Sequence, residues 1–99
     1  MNSDPIVIQK QMGITHSEFM RLLPRALGSE DYIVNDKVID YSPKPDASFN
    51  IQLGTESVRQ IALMKMPTMP VTLTISGIDD DERAVMLLRF DRAYQRGGG

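Results

Sequence analysis

Apolar and polar positions alternate along this chain with two different periods, and the changes of period mark its elements. From residue 14, Phe19, Leu22, Leu23, Ala26 and Leu27 recur at three- and four-residue spacing, which places one apolar face on a helix. Thr15 and Glu18 stand at the spacing of a capping box, and Ile14 and Phe19 at that of a hydrophobic staple. Pro24 removes an amide and crowds the preceding turn, so the pattern predicts a kink or break near Leu23. Gly28 supplies a stop.

The period then falls to two. Tyr32-Ile33-Val34 and Lys37 to Tyr41 flank Asn35-Asp36, two residues that tolerate the positive φ of a tight hairpin turn. Ser42 to Asp46 reads as loop. Phe49, Ile51 and Leu53 alternate with Asn50 and Gln52, as in a strand buried on one side. Val58 to Met66 is apolar on both faces and predicts a central strand, or one with its second face partly covered, with Met64 and Met66 on one side. Met66-Pro67-Thr68-Met69-Pro70 is predicted to interrupt the ladder, because proline cannot donate to it. Val71, Leu73 and Ile75 alternate cleanly with Thr72, Thr74 and Ser76. A second helix is predicted from about Asp80 to Arg96, with acids in its first turn and arginines in its last.

These elements predict a two-layer α+β fold: an antiparallel meander sheet of four to five strands, with an N-terminal and a C-terminal helix on its one apolar face. Residues 1–13 are read as a flexible arm, with Ile6-Val7-Ile8 as an edge strand the alternative; residues 14–96 form the domain and residues 97–99 a flexible glycine tail.

Composition narrows the function classes. A chain of 99 residues, 41% apolar and 24% charged, has room for one domain with one modest core. A net charge of −2 lacks the basic footprint that a nucleic-acid duplex or an anionic membrane demands. The absence of cysteine excludes disulfides, thiolate metal sites and thiol catalysis. No apolar run approaches the length needed to span a bilayer, and no leader pattern opens the sequence, so the expected location is cytoplasmic by default.

Candidate chemistry is sparse. The one histidine, His16, adjoins Ser17, but adjacent helical residues do not face each other; it is expected on the surface of the first turn. No glycine-rich phosphate loop is present, and glycosidase-type carboxylates would lack tryptophan and the length for a sugar cleft. Asp79-Asp80-Asp81-Glu82 lacks the alternate spacing of a calcium loop and suits a helix N-terminus. Met64, Met66 and Met69 suit core packing or an adaptable partner surface, and as soft thioethers they could hold Cu(I). Arg89, Arg92 and Arg96 share a stripe opposite the core face of the second helix, where they serve as solvated surface or grip an acidic partner or a phosphate backbone. Asp91 is predicted to project toward the core and to need a cation, with Arg83, Arg59 or Lys65 as candidates, or else to line a small polar pocket.

The expected function is therefore a non-enzymatic interaction or accessory protein that binds another protein, with no cofactor or resident metal. Its candidate partner-binding residues are Arg89, Arg92, Arg96, Met64, Met66 and Met69. The alternatives are a weak RNA or single-strand binder acting through the arginine stripe, and a small-molecule or Cu(I) site at the methionines. A homodimer through a free edge strand is also open.

Overall fold

The computed structural model describes residues 5–97, with side chains through residue 95. In chain order the elements are β1 (Ile6–Met12), α1 (His16–Leu27), β2 (Tyr32–Asn35), β3 (Val38–Tyr41), β4 (Ser48–Leu53), β5 (Ser57–Ile61), β6 (Met64–Ser76) and α2 (Asp80–Gly97). All strand pairs are antiparallel, in the order β1-β6-β4-β3-β2, and β5 pairs with β6 beyond the end of β4. The α+β class and the single layer of helices are as the sequence pattern predicts; among the described residues the sheet has six strands rather than four or five.

Alternation along the strands decides which face is covered. Phe49, Ile51 and Leu53 of β4 and Val71, Leu73 and Ile75 of β6 point inward and are buried. Phe19, Leu22, Leu23, Ala26 and Leu27 of α1 meet them, together with Phe90, Ala93 and Tyr94 of α2. Phe90 joins the layers: its ring centroid lies 6.2 Å from both Phe19 of α1 and Phe49 of β4. The opposite sheet face carries Gln9, Asn50, Gln52, Thr72 and Thr74 and is left to solvent.

The N-terminal segment and the end of α2 differ from the sequence reading, and of the kink or break expected at Pro24 the break does not occur. Residues 6–12, favoured as an arm, are the edge strand β1: Ile6 to Met12 lie opposite Ile75 to Met69. Ile8 packs on the core from that edge, and this apolar contact holds the segment in the sheet. Helix α1 is one element through Pro24, which costs the Met20 carbonyl its donor without ending the helix. The buried apolar face on both sides of Pro24 outweighs that single lost bond. Gly28, at φ 69°, then closes the helix, its amide and that of Ser29 both donating to the Pro24 carbonyl. Gly97 belongs to α2, and residues 98–99 of the expected tail lie outside the described residues.

Candidate interaction surface

The run from Val58 to Met66 is not a central strand. It folds back at Ala62-Leu63, so that Ile61 faces Met64, Arg59 faces Met66 and Ser57 faces Thr68. Nothing in the composition marks this turn, because Ala62 takes the positive φ (56°) that glycine or asparagine usually supplies. The result is a two-stranded ribbon that continues past the sheet, where β1 has ended opposite Met69 and β4 opposite Val71. It lengthens the molecule to 52 Å, against 22 Å in both other directions.

Both prolines expected to break β6 are accommodated by their place in the ladder. The Gly54 amide donates to the Pro70 carbonyl at 2.7 Å, so the polar groups of residue 70 face β4. Pro70 has no amide to return the bond, and regular β4 pairing ends at Leu53. By alternation Pro67 turns its nitrogen the other way, to the side that β1 has vacated, where no donor is required. Between the pairs Leu53–Val71 and Ser57–Thr68, Gly54, Thr55 and Glu56 oppose only Met69 and Pro70, which is a bulge. The bulge is tied to the body of the molecule, since the Glu56 carboxylate accepts from the His16 amide at 2.7 Å, at the N-terminus of α1.

Every residue of β5 is exposed, as are Met64, Lys65 and Met66 of β6. Leu63 at the tip is 98% exposed, Val58 68% and Met64 65%. Ile61, Met64 and Met66 share one face with Arg59, while Val58 and Pro67 share the other with Gln60 and Lys65. Residues 57–68 contain two cations and no acid.

The methionines are thereby separated. Met64 and Met66 do share a side, as the spacing predicts, but Met69 lies on the other side of β6 and is fully buried. The three sulfurs therefore do not converge on one ion, and Met69 belongs to the core rather than to a surface.

The arginine stripe is also divided. Arg89 reaches across to the end of α1, with its guanidinium 3.4 Å from the Leu27 carbonyl, where a cation complements the helix C-terminus. Arg92 is exposed; the side chain of Arg96 lies outside the described residues. Asp91 is not buried as its helical position suggested. Its side chain is 54% exposed and pairs with Lys10 of β1 at 3.2 Å, not with Arg83, Arg59 or Lys65. Lys10 lies in the segment 1–13 whose pattern favours an arm, so the sequence alone does not offer it as the partner. Asp91 does line a cavity of about 380 Å³ with Lys10, Met12, Tyr94 and Gln95.

Three of the four acids at the start of α2, Asp79, Asp80 and Glu82, have partners within the chain. The Asp79 carboxylate accepts from the Glu82 amide, Asp80 pairs with Arg83, and Glu82 pairs with Lys44. At α1, the Thr15 hydroxyl accepts from the Glu18 amide, but the Glu18 carboxylate turns to Arg21 instead of completing the box. That ion pair holds the Glu18 carboxyl below its ordinary value. His16 is half-buried rather than on the surface, and its Nε2 is enclosed without a hydrogen-bond partner.

Among the described residues no helix is long and apolar enough to cross a membrane. Comparison of the chain with known protein families, with curated proteins and with solved structures returns no match.

Proposed function

We propose that this chain is a non-enzymatic interaction protein and that the β5–β6 ribbon is the element that binds its protein partner. One observation carries the reading: the ribbon places Val58, Ile61, Leu63, Met64 and Met66 in solvent, on a projection with no core of its own. Burying a valine, leucine or isoleucine side chain is worth about 1.5–3 kcal/mol. Monomeric proteins rarely expose such residues contiguously unless something covers them. The methionines suit an adaptable contact, and Arg59 and Lys65 favour a partner whose apolar surface has an acidic border. The ribbon is also braced, since Glu56 joins its base to α1 and so restricts the angle at which it is presented.

A photo-crosslinking residue at position 63, with a control at position 52 on the open sheet face, tests this in the native host. A protein captured at 63 and not at 52 is then purified and titrated against the folded chain. Leu63→Asp and Met64→Asp are expected to weaken that binding tenfold or more, whereas Arg92→Glu leaves it unchanged. Equal capture at both positions, or purified binding that both ribbon substitutions leave intact, would discard the ribbon as the binding element.

A further inference from the structure

We propose that two copies of this chain associate through β1, pairing their edge strands antiparallel about a two-fold axis to make one continuous sheet. This surface is separate from the ribbon, and three features of β1 carry the inference.

The first is the set of unpaired backbone groups. Residues 69, 71, 73 and 75 of β6 face β1, because residue 70 faces β4. Their partners Met12, Lys10, Ile8 and Ile6 are thereby satisfied. Val7, Gln9 and Gln11 direct their amides and carbonyls outward, and among the described residues no strand lies beyond them. The strand contains no proline and no bulge to blunt this edge.

The second is register. Outward-facing residues must meet outward-facing residues, and only one antiparallel register matches the strand along its whole length. It sets Gln9 opposite Gln9 of the second copy and Val7 opposite Gln11, each pair exchanging two hydrogen bonds. On the inner face it sets Ile6 opposite Met12 and Ile8 opposite Lys10, so no like charges meet. A shift of two residues in one direction brings Lys10 onto Lys10, which is unfavourable. A shift in the other direction leaves Gln11 and Met12 without partners. Lys10 points inward from an edge strand, a placement that ordinarily deters pairing, but here Asp91 compensates its charge.

The third is what lies beside the edge. Helix α2 runs along β1: Ile6 shares a cavity with Asp79, Asp80 and Arg83, and Lys10 bonds Asp91. The level of Gln9, and hence of the two-fold axis, falls between Arg83 and Asp91. On the α2 stripe that carries Arg83 and Asp91, that level is held by Leu87, half-buried against the core. Beside it, on the solvent side of the stripe, stands Leu88, which is 51% exposed. In the paired arrangement Leu88 of each copy approaches the axis, and Ala84 allows the helices to come close. A self-complementary backbone edge with an apolar residue at its centre fits a second copy of the same chain.

Analytical ultracentrifugation of the whole chain over a concentration series, up to millimolar, provides the test. Gln9→Pro removes only an outward-facing amide, so the β1–β6 ladder survives while the edge is blocked. Leu88→Asp alters an exposed position. Wild type is expected to sediment at twice the mass of one chain, and both variants at half the wild-type mass with unchanged circular dichroism. In wild type the amides of Val7, Gln9 and Gln11 should lose hydrogen-exchange protection on dilution. A wild type monomeric throughout would overturn the proposal. So would a dimer that survives both substitutions and is lost instead in Leu63→Asp, which would place the contact on the ribbon.

Discussion

Tyr94 shows how much one side chain contributes to joining the two helices. Its ring stacks on Phe19 with centroids 4.6 Å apart, and its hydroxyl donates to the Phe19 carbonyl at 3.0 Å. Burial, and secondarily the nearby Tyr32, pushes the phenol above its ordinary value. The sign of the pH effect follows. A phenol whose folded value lies above the unfolded one, about 10, stabilises fully below that pH, and its contribution is lost as pH rises beyond it. Tyr94→Phe should therefore cost about 0.5–1.5 kcal/mol at neutral pH, the net worth of one hydrogen bond. Above about pH 10 the gap between variant and wild type should narrow, because only wild type must keep a phenol protonated. Urea denaturation at the two pH values measures both quantities. A gap that stays constant with pH would show that Tyr94 is not the titrating group.

At the level of elements, the bulge between β4 and β5 has a strict steric requirement. A Cβ on Gly54 would lie 2.3 Å from Cγ of Pro70 and 3.2 Å from its carbonyl oxygen. A proline ring held in a strand cannot swing aside as a long side chain would. Gly54→Ala is expected to destabilise by about 1–3 kcal/mol, the usual cost of overpacking. Pro70→Ala in the same chain should recover most of that loss, and a double-mutant cycle in denaturant reads the coupling. Strictly additive effects would mean that the ring is not the obstacle.

The same region shows where the sequence was legible. Helix α1, strand β4 and the second half of β6 were readable because burial imposes a single period on each, as at Phe19-Leu22-Leu23 and at Val71-Leu73-Ile75. The turn at Ala62-Leu63 was not, because a non-glycine residue in the left-handed region leaves no compositional mark. Exposure hid the ribbon too. Ile61 to Met66 reads as core by hydrophobicity, and only the fold reveals that nothing covers it. Strand β1 is legible only as the alternative to an arm, at Ile6-Val7-Ile8: its partner β6 is distant in the chain, and local pattern carries no trace of pairing at that distance. Of the candidate site residues, Met64 and Met66 stand on the proposed surface, whereas Met69 and Arg89 serve the packing of the domain.

For the molecule as a whole, the ribbon and the domain should be separable. No side chain between residues 57 and 66 is buried, so the core does not depend on them. Replacing residues 60–65 by Asn-Gly closes the ribbon at the Arg59–Met66 pair with a favoured hairpin turn. The shortened chain should unfold within about 0.5 kcal/mol of wild type, as expected for changes away from core and caps, while losing the affinity for the captured protein. A loss of several kcal/mol would instead make the ribbon part of the folding unit.

The pairing of β1 with β6 also sets an order of events when the chain is made. Ile6 must wait for Ile75, and Met12 for Met69, before either has a neighbour. At about 5–20 residues per second, translation takes roughly 3–14 seconds to deliver the missing strand. Helix α1 and the β2–β3 hairpin need no such delay, since their contacts lie within a few residues of one another. Of the six strands, the one that leaves the ribosome earliest is among the last to be paired. Its apolar Ile6-Val7-Ile8 is open throughout that interval to any chaperone, or any nascent neighbour, that binds extended backbone.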